Sequence, residues 1–154
     1  MNIAGTEFNL KHCAYEIYVA GCTLGCIGCH NSVLKDFNYG RPWKEVITTI
    51  IKEASQPIVK QIWILGGEPQ DQDREEFISF MEEISKLQAS KILFTGRSCV
   101  DESLVKYFDF IKLGAFWSDY EAYVEPVLGL TLASPNQHVI TQKEAKEMYA
   151  VYYS

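Results

Sequence analysis

Along the chain, short and nearly continuous apolar runs alternate with segments in which apolar residues return at helical spacing. The runs at residues 14–20, 61–65, 91–95 and 110–114 predict strands, and shorter ones at 128–133 and 138–141 predict two more. Between them, Val46, Ile47, Ile50 and Ile51 fall on one face of a helix predicted over 43–55. Pro42 opens it at a position where a missing N–H costs nothing. Phe77, Ile78, Met81, Ile84 and Leu87 mark a second helix, capped by Asp71 or Asp73 and reaching about residue 87. Residues 101–108 predict a short third helix, and Thr141 with Glu144 forms a capping-box pair for a last one to about residue 150.

Strands separated by helices imply an α/β fold whose sheet is mainly parallel and built from right-handed crossovers. The chain shows no repeat, low-complexity tract or linker, so residues 1–154 are expected to form a single domain around one core. A closed eight-stranded barrel needs about 250 residues. Only four or five βα units fit here, which predicts an incomplete, open (β/α) barrel. An open mouth suits a loop of another protein better than an enclosed small molecule.

Composition narrows the function classes. At 47% hydrophobic and 22% charged, the chain has the make-up of an ordinary globular domain. Its net charge of −6 offers no basic face for nucleic acid. No apolar run approaches the roughly 20 residues of a membrane helix. Residues 1–11 lack the basic start and apolar stretch of a signal peptide, so a cytoplasmic location is expected. Five cysteines, an odd number, fit a reducing compartment better than a disulfide-stapled domain. Cys13 and Cys99 stand apart and are expected to be small buried core residues.

The other cysteines carry the chemistry. Cys22, Cys26 and Cys29 form C-x3-C-x2-C in a glycine-rich loop directly after the first predicted strand. Four readings fit such a loop. Three thiolates can hold three corners of a [4Fe–4S] cluster and leave the fourth iron open to a ligand. With His30 they can form a Cys3His zinc site, although Cys29 and His30 are adjacent and zinc ligands usually come in separated pairs. Cys26 to His30 also spells a haem-attachment string, which leaves Cys22 without a role. The fourth reading is plain buried cysteine. Gly66-Gly67-Glu68-Pro69 follows the second predicted strand and Thr95-Gly96 closes the third, so both should meet the cysteine loop at one sheet edge. Taken alone, each reads as a strand-end turn. Lys112 lies inside an apolar strand, where an unpaired charge is expensive.

The cysteine spacing after a first strand, with a Gly-Gly-Glu motif about 40 residues later, resembles the radical S-adenosylmethionine (SAM) enzymes. Within them the chain resembles the activating enzymes of anaerobic (class III) ribonucleotide reductase. Gly28-Cys29-His30-Asn31, Leu93-Phe94-Thr95-Gly96, Phe110-Ile111-Lys112-Leu113-Gly114 and Ser134-Pro135-Asn136-Gln137 carry that likeness, which covers about residues 15–140. The resemblance implies a [4Fe–4S] cluster on Cys22, Cys26 and Cys29 whose open iron chelates SAM. An external one-electron donor reduces it, SAM is cleaved, and the resulting 5′-deoxyadenosyl radical takes hydrogen from a glycine of the reductase. It implies that Gly66 and Gly67 bring backbone carbonyls to the SAM amino group and that Glu68 orients it. Thr95 and Gly96 line the SAM site, and Lys112 pairs with the SAM carboxylate. Apart from the resemblance, His30 is expected either to tune the cluster by a hydrogen bond or to be an ordinary structural histidine, Asn31 to fix the loop end, and residues 115–137, aromatic and turn-rich near the open edge, to face the partner protein. No catalytic side chain is implied beyond cluster and SAM, and neither nucleic acid nor membrane is a partner. Arg97 and Asp119 are polar near strand ends, without an assigned role. The alternatives are an activase of another glycyl radical enzyme of formate-lyase type, a radical SAM enzyme acting on a small molecule, a ferredoxin-like electron-transfer module, or a zinc-stabilised interaction domain.

Overall fold

A computed structural model describes residues 1–29 and 32–153 of the chain, with side chains as far as residue 150. The chain opens with an antiparallel pair, β1 (Asn2–Asn9) and β2 (Ala14–Val19), and a two-residue edge strand β3 (Arg41–Pro42) pairs with the start of β1. There follow α1 (Trp43–Ala54), β4 (Gln61–Gly66), α2 (Arg74–Ile84), β5 (Ser90–Phe94), α3 (Glu102–Val105) and β6 (Phe110–Leu113). A small ladder, β7 (Tyr123–Val124) with β8 (Thr131–Leu132), precedes β9 (His138–Thr141) and α4 (Gln142–Tyr153). The main sheet runs β3-β1-β2-β4-β5-β6-β9. Its middle pairs, β2–β4, β4–β5 and β5–β6, are parallel, and the outer pairs are antiparallel. The fold is therefore a mixed α/β arrangement whose central sheet is parallel and open, not closed on itself.

Alternation along the strands sorts residues onto two faces. Ile17, Ile62, Ile64, Leu93 and Ile111 join Ile50 of α1, Phe77, Phe80 and Met81 of α2 and Leu104 of α3 in the main core. Each large apolar side chain buried there contributes about 1.5–3 kcal/mol. The other face carries Ala14, Trp63 and Ile92 and is covered by Leu130, Leu132 and Val139 from the segment between β6 and the end of β9. Helices thus lie on one face only. The second face is covered over its middle, and a cavity opens at the carboxyl ends of its parallel strands.

Most predicted elements appear within a few residues of their expected bounds. Pro42 is the N-cap of α1, Asp73 caps α2 by accepting from the Glu76 N–H at 3.0 Å, and Asp101 caps α3. The Thr141–Glu144 capping box forms as expected, with Thr141 N–H donating to Glu144 at 3.2 Å and Glu144 N–H to Thr141 Oγ1 at 3.1 Å. Three expectations are corrected. Residues 128–133 do not add a strand to the main sheet; only Thr131–Leu132 is extended, and it pairs with β7 instead. The N-terminal segment, read only for the absence of a leader, is an eight-residue strand. Cys13 and Cys99 are not core residues. Cys13 is part-buried in the β1–β2 turn with a left-handed φ of 48°, and Cys99 is exposed. Among the described residues no helix is long and apolar enough to cross a membrane.

Candidate metal centre at the carboxyl edge of the sheet

Four loops meet where the parallel strands end. The cysteine loop leaves β2 and is stitched to the segment after it: Gly21 N–H donates to Leu34 carbonyl at 2.8 Å and Cys22 N–H to Lys35 carbonyl at 3.4 Å. The turn after β4 locks onto the same place, with Gly67 N–H donating to Val19 carbonyl and Glu68 N–H to Gly21 carbonyl, both at 2.8 Å. This close approach is why glycines stand there. Gly66 has φ 114°, and a Cβ on it would lie 2.6 Å from Val19 carbonyl oxygen; one on Gly67 would lie 2.4 Å from Gly21 carbonyl oxygen. The Gly-Gly pair therefore splices the two strand ends together before any ligand is considered.

Glu68, fully buried, ties in the third loop. It accepts from Thr95 Oγ1 at 2.6 Å, Gly96 N–H at 2.7 Å and Gln70 N–H at 3.0 Å. Burial pushes its carboxyl above the usual range, and those three donors pull back against it. Asp71 behaves oppositely. Burial alone would raise it, but the Arg97 guanidinium and the Thr23 hydroxyl and N–H outweigh that and hold it low. Lys112 is part-buried on β6 and donates to Gly114 carbonyl at 2.9 Å. It makes no ion pair among the described residues. Burial pushes its ammonium down to about 8, against the attraction of Glu68 and Cys26. Burial likewise raises the Cys22 thiol; Leu24 N–H opposes this, while Glu68 and Asp71 reinforce it.

A cavity of about 230 Å³ lies at this meeting point, and the three loop cysteines and all six residues expected to line the SAM site border it. Cys22, Cys26 and Cys29 form one wall, Gly66, Gly67 and Glu68 a second, and Thr95, Gly96 and Lys112 a third. Leu24, Leu65, Phe94, Gly114, Phe116 and Gln137 complete the lining; sequence reasoning did not single these out as site residues. For Leu65 and Phe94 a signal existed. Phe94 stands opposite Lys112, and Leu65 follows Ile64, which pairs with Leu93, so Leu65, Phe94 and Lys112 form one row on the same face at the strand ends. Phe116 carries no periodic signal; it reaches the site because the chain turns back after β6, so that a Cβ on Gly28 would lie 3.8 Å from both Phe116 and Ser118. Ile27 in the cysteine loop is exposed, as are Trp117 and Tyr120, whose rings pack together just after Phe116. His30 and Asn31 lie outside the described residues. Asp119 is exposed and does not border the cavity, whereas Arg97 pairs with Asp71.

The donor set decides what the wall can hold. All five cysteines are free, and only the loop's three border the cavity. Among the described residues no three His, Cys, Asp or Glu side chains are grouped to enclose one metal ion. Part-buried thiols distributed along a cavity wall fit a multi-atom iron–sulfur cluster better than a lone zinc. None of the curated proteins or solved structures compared with the chain matches it. A family model described as a 4Fe-4S single cluster domain does match, over residues 11–139, a span that takes in the cysteine loop and every other wall of the cavity. The chain belongs to that 4Fe-4S single cluster family.

Proposed function

We propose that the chain is a radical SAM activase, which cleaves S-adenosylmethionine reductively and generates a glycyl radical on anaerobic ribonucleotide reductase. One observation carries this reading: a single cavity unites three thiols with a glycine-lined turn, a buried carboxylate and a part-buried ammonium that makes no ion pair among the described residues. Cys22, Cys26 and Cys29 would hold a [4Fe–4S] cluster. What such a cluster supplies when bound is one low-potential electron and an open iron. The protein's own residues do the positioning. Lys112 is a desolvated cation in search of an anion, and the methionine carboxylate of SAM answers that. The Gly66–Gly67 turn presents backbone beside the same cavity, and Glu68, Thr95 and Gly96 form its hydrogen-bonded floor. Leu65, Phe94 and Phe116 offer apolar surface for the adenosyl part.

The helices cover one face of an open sheet, which is compatible with a partial (β/α) barrel, and Ile27 of the cysteine loop, with Trp117 and Tyr120 of the segment after β6, is exposed to form its rim. A protein loop bearing the target glycine fits that rim. An electron-transfer module would bring a fourth thiol to its cluster. Cys13 sits before β2, at the opposite end of that strand, and Cys99 borders a different cavity. Neither is placed to serve. Anaerobic reconstitution should give a brown protein with about four irons per chain. SAM and dithionite should then yield 5′-deoxyadenosine and methionine, and adding a class III reductase should produce a glycyl radical signal in EPR. Cluster without cleavage would return the chain to electron transfer. Cleavage without the radical would point to another glycyl radical enzyme, of formate-lyase type, as substrate.

A further inference from the structure

Asp71 and Arg97 are not ligands, yet they grip the cysteine loop. Asp71 ends the short 3-10 turn Pro69–Asp71 after β4, and its side chain is only 9% exposed. It accepts from Thr23 N–H at 2.8 Å and Thr23 Oγ1 at 2.7 Å, and it is ion-paired with Arg97. Arg97 donates in turn to Thr23 Oγ1 at 3.1 Å. Its own carbonyl accepts from Gly114 N–H at 2.9 Å. One carboxylate and one guanidinium therefore join three strand-end loops at the residue next to Cys22, and the Arg97 backbone ties in the fourth. Past this point, among the described residues, the loop's backbone bonding is internal, from Cys29 N–H to Cys26 carbonyl at 3.3 Å.

We propose that Asp71 and Arg97 form a charge-neutral clamp that positions the Cys22 end of the loop while cancelling the guanidinium's effect on the metal centre. Holding the loop with Arg97 alone would place a bare cation beside Cys22 and Glu68. Nearby charge is one of the levers on an iron–sulfur potential, and a cation favours the reduced, more negative state. Asp71 supplies the anchor's second half and removes that bias. The inference rests on the three cysteines holding a cluster, and not on what the cluster then reduces.

The test uses the full chain, anaerobically reconstituted, as wild type, Asp71→Asn, Arg97→Gln and the double variant. Redox titration followed by EPR gives the midpoint potential, and iron release to a chelator gives retention. The expected result is a potential raised in Asp71→Asn, lowered in Arg97→Gln and returned near wild type in the double variant. Iron loss should be several-fold faster in both single variants. Arg97 is a partly exposed side chain, so its variant folds even if the buried Asp71 position proves intolerant, and its downward shift alone supports the clamp. Shifts of the same sign, or none, overturn it, because a merely structural pair would loosen the loop without splitting the potentials. A wild-type chain that takes up no cluster overturns the ligand set and this inference together. A normal split in a protein that ignores SAM leaves the clamp standing and sinks only the activase reading.

Discussion

Lys112 shows how a single residue can be held beside a cavity at the expense of stability. Its side chain is part-buried on an apolar strand with one carbonyl acceptor for three N–H donors. Burial lowers its folded-state value to about 8 from an ordinary 10.5. Below about pH 8 the folded chain carries a desolvated ammonium, and the cost is fully present. Between about 8 and 10.5 the unfolded chain binds more protons than the folded one, so this group's contribution to stability rises with pH. Lys112→Met should therefore be more stable than wild type at pH 7 in the cluster-free chain, with the advantage fading toward pH 10.5. Comparing variant with wild type cancels the thiols, which titrate in both. The same variant should bind SAM about 10- to 100-fold more weakly, the loss expected for one charge-assisted bond. Melting curves across that pH range and SAM titration of the reconstituted protein check the two halves; a variant less stable at pH 7 but unchanged in affinity would make Lys112 structural. At this scale the sequence was informative where residue type alone restricts chemistry, as for three close cysteines or a lysine in an apolar run. It was silent on Asp71, which reads as a helix cap and is instead a partner of Thr23, 48 residues away. Pairings at that separation leave no local pattern to read.

Elements were legible where periodicity and caps agree. The four parallel strands and the helices between them fall near their expected bounds because burial on both faces makes each strand an unbroken apolar run. The first strand was missed because it is an outer strand with solvent on much of one side, and its residues 5–8 are exposed. Residues 128–133 were misread for a related reason. Leu130 and Leu132 are buried, but against the sheet's second face, so their alternation reports a covering layer and not a strand of the sheet. The Gly66–Gly67 turn is the element on which the site depends most. Gly67 has no left-handed backbone requirement, so Gly67→Ala tests contact alone. The added methyl would meet Gly21 carbonyl oxygen at 2.4 Å, and backbone on both sides leaves little room to shift. Overpacking of this kind costs about 1–3 kcal/mol. At this chain length that lowers the melting temperature by roughly 2–12 °C. Because the contact is with the residue before Cys22, iron retention should fall as well. A variant that melts earlier yet keeps its iron would separate the turn from the metal loop.

At the scale of the whole molecule, the site is carried by a fold that does not need it. The main core joins strands, α1, α2, α3 and the start of α4, and none of the three loop cysteines belongs to it. The sheet's second face is likewise closed by apolar residues of the segments around β8 and β9. Small metal-nucleated domains unfold when the metal leaves, because ligation replaces a core. Here the core stands apart, so removal of iron should strip the loop and leave the sheet. A bound cluster still adds stability by mass action, about 4.1 kcal/mol if it is held a thousandfold above its dissociation constant. For a domain of this size that corresponds to roughly 8–16 °C in melting temperature. Chelation under oxidising conditions should bleach the protein, lower its melting temperature by an amount of that order, and leave the far-ultraviolet circular dichroism spectrum nearly unchanged at 25 °C. Protease sites in residues 22–29 should become accessible while the strands stay protected. Cooperative loss of secondary structure on bleaching would mean that the metal centre helps to build the fold, and the division between a self-sufficient sheet and a loop mounted on its edge would have to be abandoned.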